Sequence, residues 1–246
     1  MHRVKCIVSY DGSNFAGFQI QPTERTVHGE LEKALKKIHK GLEVPIAASG
    51  RTDAGVHAVG QVIHFDTPLS IEAERWPRAF QGILPSDVNV RSAAYVDSDF
   101  HARFGTTKKE YRYRVLASKE ADVFRRNYTY HFYHPLDIEA MREAASYVIG
   151  THDFTSFSGS KTVVENKVRT IFEFDVLEAG DEIVFRVVGN GFLYNMVRLL
   201  VGALLEVGRN KKVPEAMKDI LARKQRGAAG KKAPGHGLYL WEVGYE

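Results

Sequence analysis

The 246-residue chain has a single cysteine, Cys6, which excludes an intrachain disulfide and any zinc site built on several thiolates. Long apolar runs are also missing. The longest, around Leu199 to Leu205, falls far short of the ~20 residues that cross a bilayer. Met1-His2-Arg3-Val4 leads straight into an alternating pattern, without the apolar core of a secretory signal. These absences predict a cytoplasmic protein with no membrane contact. No Gly-x-Gly-x-x-Gly, Walker-type loop or His-Glu-x-x-His occurs, so neither a nucleotide cofactor nor a metal is expected. His131 and His134 have the spacing of weak ligands, but they sit in an aromatic run from Tyr128 to His134 that suits packing better. No short repeat is present, so a duplication could show itself only in the order of elements.

What is present is an ordinary globular composition: 44% hydrophobic and 26% charged residues, enough for one large domain or two medium ones. The net charge of +4 is modest, and its distribution says more. Basic residues gather at Lys33/Lys36/Lys37/Lys40, Lys108/Lys109/Arg112/Arg114, Arg125/Arg126 and Arg223/Lys224/Arg226/Lys231/Lys232. Separate basic patches suit a polyanion that touches several surfaces, and nucleic acid is the usual case. The Lys33–Lys40 group reads better as a solvated helix face. The Gly-rich loop with Arg226, Lys231 and Lys232 reads as too flexible for packing, which makes those three the candidate RNA contacts.

Periodicity gives an order of elements. Val4, Cys6, Val8 and Tyr10 alternate as a strand, followed by a loop rich in Gly and aromatics, Asp11 to Gln19. Val27, Leu31, Ala34, Leu35 and Ile38 recur at helical spacing behind a Thr26 cap. Ile46 to Ala48 reads as a short strand, and Val59, Gln61, Ile63 and Phe65 alternate with Gly60, Val62 and His64 as a second. Ser70 is placed to cap a helix with Trp76, Phe80 and Ile83 inward, which Pro77 kinks or delays. A strand through Val96 completes β-α-β-β-α-β, the ferredoxin-like unit. The order then recurs: a strand Glu110–Leu116; a helix from Asp137, with Met141, Ala144, Ala145 and Val148, stopped by Gly150; strands through Val168–Val176 and Ile183–Val187; an apolar helix from Phe192 to Val207; a short helix near Pro214–Arg223; and a last strand Leu238–Val243. The expected fold is α+β, two ferredoxin-like halves at 1–104 and 105–246, with mainly antiparallel sheets and a catalytic cleft between them.

Asp53 is the best nucleophile or base in the chain. It lies between two strands with Arg51 before it and Gly55 after it, where rigid backbone can aim a carboxylate; a plain turn would use the same residue types. A carboxylate held ionised in a cleft needs a cation. Arg51 is one candidate. Arg198 is another, because an arginine in so apolar a helix must snorkel to water or meet a carboxylate. Tyr111 opens the second half's first strand, and reads either as a core aromatic with its hydroxyl at the sheet edge or as a group that takes part in the chemistry.

The string Gly50-Arg51-Thr52-Asp53-Ala54-Gly55-Val56-His57-Ala58 closely resembles the signature of the tRNA pseudouridine synthase A family. Tyr10-Asp11-Gly12, Phe15-Ala16-Gly17-Phe18-Gln19, Phe100-His101-Ala102-Arg103-Phe104, Lys109-Glu110-Tyr111-Arg112-Tyr113, Gly150-Thr151-His152-Asp153-Phe154 and the run from Phe192 through Met196-Val197-Arg198 to Val201-Gly202 agree in order. The resemblance implies a homodimeric, cofactor-free and metal-free isomerase that converts uridine to pseudouridine at tRNA positions 38, 39 and/or 40, in the anticodon stem-loop. It implies that Asp53 is the catalytic aspartate and Tyr111 the ring that stacks on the target base. Arg198 would be the basic partner of the aspartate, and Arg51 an arginine linked to base flipping. An ester at C1′ and a glycal formed by loss of the C2′ proton both remain open as intermediates. A non-catalytic RNA-binding module would share the element order, but neither half carries an RNP1-type string. A hydrolase cutting the N-glycosidic bond would also use a carboxylate, and would release free base.

Overall fold

The computed structural model describes residues 1–160 and 162–245. The chain separates into two compact units, Met1–Thr107 with Tyr239–Glu246, and Lys108–Leu238.

The first unit contains β1 (His2–Tyr10), α1 (Val27–Ile38), β2 (Ala47–Ala48), β3 (His57–Thr67), α2 (Trp76–Gln81) and β4 (Val88–Val96), the β-α-β-β-α-β order expected. β1 pairs antiparallel with both β3 and β4, and the short β2 pairs antiparallel with β3. Val4, Cys6, Val8 and Tyr10 all point inward from β1. Burial pushes the Cys6 thiol up to about 12, which leaves it an inert packing residue. Thr26 caps α1 by accepting the Gly29 N–H at 3.3 Å, and Val27, Leu31, Ala34 and Leu35 form its inner face. α2 begins later than Ser70 would set it. A single 3₁₀ turn, Ala73–Arg75, precedes it, and Pro77 lies in its first turn, where a missing N–H costs nothing. Pro77 therefore delays the helix rather than kinking it. Trp76 and Phe80 are fully buried, whereas Ile83 lies beyond the helix.

β3 departs from the simple alternation expected of it, because nearly every residue from His57 to Thr67 is buried. The turn after β4 covers part of it. The Ala102 N–H donates to His64 Nδ1 at 3.1 Å, and the His64 ring meets Phe100 edge-on at 5.9 Å. Desolvation there, helped by Arg3 and His101, pushes His64 down to about 4.

The second unit contains β5 (Thr106–Leu116), β6 (Tyr130–His131), α3 (Ile138–Ser146), β7 (Gly150–Asp153), β8 (Val168–Ala179), β9 (Glu182–Gly189), α4 (Met196–Gly208) and α5 (Ala216–Arg223). β5, β9, β8 and β7 pair antiparallel in that order. Asp137 caps α3 by accepting the Ala140 N–H at 2.9 Å. Gly150 opens β7 instead of merely ending a helix, with φ of 106°. A bulge between Ile171 and Glu173 breaks the alternation expected through β8. Ile171, Phe174 and Val176 are buried, and Phe172 faces outward.

Tyr111, Tyr113 and Val115 of β5 lie on the core side, and Glu110, Arg112 and Arg114 on the other. Arg112 sits directly opposite Arg186 of β9, a like-charge pair that would repel. Glu110 resolves it by accepting Arg112 Nε at 2.6 Å and Arg186 Nε at 3.1 Å. Arg114 is bidentate to Glu182, while Arg125 reaches Asp122, Asp181 and Glu182. Two of the basic clusters expected to face a polyanion thus spend charge on their own carboxylates.

The last strand, β10 (Leu238–Tyr245), differs from the division at 104/105, which gave it to the second half. From Tyr239 onward it belongs to the first unit. Tyr239 and Leu240 run parallel to His57 and Ala58, and the Tyr245 hydroxyl donates to the Ala102 carbonyl at 2.6 Å. Gly60 permits the approach, since a Cβ there would stand 2.4 Å from the Trp241 carbonyl oxygen. Among the described residues no helix is long and apolar enough to cross a membrane.

His64 makes stability depend on pH in a stated direction. Its proton affinity is ordinary (6.5) when unfolded and depressed to about 4 when folded, so between those values the unfolded chain binds a proton that the native chain does not. Stability should fall as pH drops through that window. Urea midpoints measured from pH 7 to pH 4 should decline less steeply for His64→Gln than for the parent. Parallel curves would assign the slope to other groups.

Candidate active site

Asp53 lies in a loop between β2 and β3 that has no ladder of its own, so its backbone groups must find partners elsewhere. The segment after β1 supplies several. The Phe18 N–H donates to the Thr52 carbonyl at 3.0 Å, and the Gly55 N–H to the Phe15 carbonyl at 3.4 Å. Two glycines let the backbones touch. A Cβ on Gly12 would stand 2.1 Å from the Val56 oxygen; one on Gly17, at φ 114°, would stand 2.9 Å from the Thr52 oxygen. The Gly12 N–H donates to His57 Nδ1 at 3.0 Å, and Asp11 Oδ1 lies 3.2 Å from the same nitrogen. His57 stacks on Tyr239 with centroids 4.7 Å apart.

A second set of contacts comes from below. Tyr10 and Thr52 share a hydroxyl–hydroxyl hydrogen bond of 2.7 Å. Ser49 Oγ donates to Gln61 Oε1 at 2.6 Å, and Gln61 Nε2 donates to the Gly50 carbonyl at 2.9 Å. Thr52 is buried, Asp53 half-buried and Arg51 exposed. The loop therefore presents a carboxylate and a guanidinium on a backbone held at both ends.

Tyr111 and Arg198 belong to the second unit. The Tyr111 ring, on β5 opposite Val187, is buried and meets Phe192 edge-on at 5.2 Å. Arg198 lies in the first turns of α4, ten of whose residues are buried. It does not simply snorkel to water. Its Nε donates to the Ala233 carbonyl at 2.8 Å and its Nη1 to Asn195 Oδ1 at 3.1 Å. Asn195 precedes the helix at a left-handed φ of 61° and makes no side-chain cap, so its amide serves the guanidinium instead. Tyr113 completes this corner. Its hydroxyl donates to the Pro234 carbonyl at 2.8 Å, and burial holds its pKa well above the ordinary phenol value although Arg198 opposes the shift.

The loop carrying the candidate RNA contacts is packed, contrary to the expectation from its glycines. Ala229 and Ala233 are buried, and Gly202 of α4 lies so close that a Cβ would stand 2.0 Å from the Lys231 carbonyl oxygen. Arg226 Nη1 donates to the Ser160 carbonyl at 3.2 Å and Nη2 to that of Thr162 at 2.8 Å. Lys231 and Lys232 are exposed. Among the described residues no group of three or more His, Cys, Asp or Glu is placed to hold a metal ion. His131 Nε2 bonds the Ser118 carbonyl at 2.8 Å, while His134 packs on Tyr133 at 4.0 Å.

Tyr10, Gln61, His57, Asn195 and Tyr113 were not singled out from sequence. One signal was available: Gln61 is an amide inside the alternating run that reads as a strand, and a polar residue buried there needs a partner.

The family profile described as tRNA pseudouridine synthase matches residues 6–105 and 144–246. A tRNA pseudouridine synthase A of Anoxybacillus flavithermus is 60% identical over 246 residues, covering all of both chains. That of Bacillus subtilis is 57% identical over 245 residues, covering 99% of each. A tRNA pseudouridine synthase A 1 of Bacillus cereus is 60% identical, over all of this chain and 99% of its own.

The glycine contacts are open to test. Gly12→Ala should cost on the order of 1–3 kcal/mol through backbone displacement, and should speed amide exchange at Phe18 and Val56 well beyond the change at α1. Unaltered protection at those two amides would show that the loop does not depend on the contact.

Proposed function

The chain belongs to the tRNA pseudouridine synthase A family, isomerases that act on tRNA uridine, and from that premise we propose that it modifies positions 38, 39 and/or 40 of the anticodon stem-loop with Asp53 as the reacting carboxylate. The observation that carries the assignment is the Asp53 loop itself: a half-buried carboxylate on a backbone clamped from two sides, beside an exposed arginine. The isomerisation breaks the C1′–N1 bond, turns the uracil in place and joins C5 to C1′. A proton leaves C5 and one is gained at N1, so mass and oxidation state are conserved and no redox carrier is required. Asp53 would either attack C1′, expelling uracil as its anion, or take the C2′ proton.

In this reading the uridine leaves its stack before it reacts, at a cost of a few kcal/mol. Tyr111 offers a ring for the displaced base, and a base–aromatic stack returns ~1–3 kcal/mol. Its edge contact with Phe192 supports that role by fixing the ring. Arg51 assists flipping from an exposed position. Arg198 is assigned the role of basic partner to the Asp53 carboxylate; the bonds it donates to Asn195 and Ala233 support this by orienting the guanidinium in advance. Lys231 and Lys232 contact phosphate, and Arg226 acts through the loop it anchors. A homodimer is part of the same reading, through the family resemblance.

Asp53→Asn keeps the side chain's shape and removes the reactive oxygen, so pseudouridine formation should vanish while tRNA affinity stays within about twofold. Appreciable product from that variant would remove Asp53 from the chemistry. Product analysis separates the classes: an isomerase alters uridine without changing mass, a hydrolase leaves an abasic site, and a binding module leaves RNA unchanged. Replacing Lys231 and Lys232 together by Ala should flatten the dependence of log affinity on log salt by about one to two units of slope. An unchanged slope would assign those lysines elsewhere.

A further inference from the structure

Beneath the Asp53 loop lies a buried polar cluster that the chemistry above does not use. We propose that Tyr10 and Gln61 are positioning residues, a hydroxyl–amide brace that holds the backbone on both sides of Arg51 and thereby sets where the Asp53 carboxylate stands. The proposal rests on the reading of Asp53 as the reacting group.

Tyr10, Ser49, Thr52 and Gln61 are all buried, Gln61 completely. Phe and Leu would fill the same space without a polar group to satisfy, and a buried polar group without a partner is costly. Each polar atom here has one. Gln61 accepts from Ser49 and donates to the Gly50 carbonyl. Tyr10 in turn bonds Thr52. The brace therefore grips residues 49, 50 and 52, which flank Arg51 and end next to Asp53. Burial pushes the Tyr10 phenol pKa up, so the hydroxyl keeps its proton and the brace persists at neutral pH.

Tyr10 follows Val8 on the inward face of β1, and Val8 stands opposite Gln61 of β3, so the hydroxyl and the amide rise from the same side of the sheet. The β1–β3 register shifts between Val8 and Tyr10, and such irregularities recur beside active sites.

A merely structural cluster and a positioning brace predict different kinetics. Single-turnover pseudouridine formation on an anticodon stem-loop transcript, under saturating enzyme and at a temperature where every variant is folded, separates them. Tyr10→Phe should slow the chemical step ~10–100-fold, the scale set by displacement of a reacting group by about 1 Å, with the RNA dissociation constant within about twofold of the parent. Thr52→Val should do the same, and the double variant should be no slower than the slower single, because both remove one bond. Thr52→Ser keeps the hydroxyl and should restore most of the rate. The idea is overturned by a parental rate in Tyr10→Phe, by additive losses in the double variant, or by a loss that Thr52→Ser fails to rescue. Should Tyr10→Phe fail to fold, the Thr52→Val and Thr52→Ser pair decides on rate alone. Asp53→Asn in the same assay keeps the two readings apart. If it is inactive while Tyr10→Phe is parental, only the brace fails; if it is active, the reading of Asp53 itself falls.

Discussion

The constraint on which the first unit depends is that a loop without a ladder, partly removed from water, must still pair its backbone groups. Residues 49–56 meet it by borrowing. The 11–18 segment supplies donors and acceptors from one side, Gln61 donates to the Gly50 carbonyl from another, and Tyr10 ties down the Thr52 side chain. The borrowing works only at backbone contact distance, hence glycine at positions 12 and 17. A loop so held loses little further conformational freedom when a substrate arrives, and that is the preorganisation a reacting carboxylate requires.

Charge follows a parallel logic in the second unit. Arginines on the outer side of β5 and β9 face carboxylates that cancel them, as Glu110 does for Arg112 and Arg186. Those groups hold the strands in register and are poor candidates for binding a polyanion. Arg198 is different in kind. It stands in an apolar helix and is oriented by the Asn195 amide and the Ala233 carbonyl. Lys231 and Lys232 stay exposed on a loop whose backbone is pinned against α4. A fixed positive surface binds phosphate with less entropic cost than a mobile one.

Local signals in the chain carry the order of elements well. The Thr26 and Asp137 caps, the inward face of α1 and the alternation of β1 all follow from short-range pattern. Pattern fails where a distant segment intervenes. β3 reads as half-buried, but residues some forty positions later cover it. β8 reads as regular, but a bulge shifts its faces. The basic loop reads as flexible, because glycine marks both freedom and close approach, and only Gly202 on another element tells which applies.

Sequence by itself determined the family, the two-half order of elements, and Asp53, Arg51, Tyr111 and Arg198 as the residues to watch, because motif identity and periodicity are local properties of the chain. Tertiary structure decided which unit owns the last strand, which arginines are already paired, and what holds the Asp53 loop. Those outcomes turn on approaches of a few ångströms between residues far apart in the chain, such as Gly12 with Val56, Tyr10 with Thr52 and Gly60 with Trp241. Hydrogen bonding and steric exclusion act across space, and no periodicity records them.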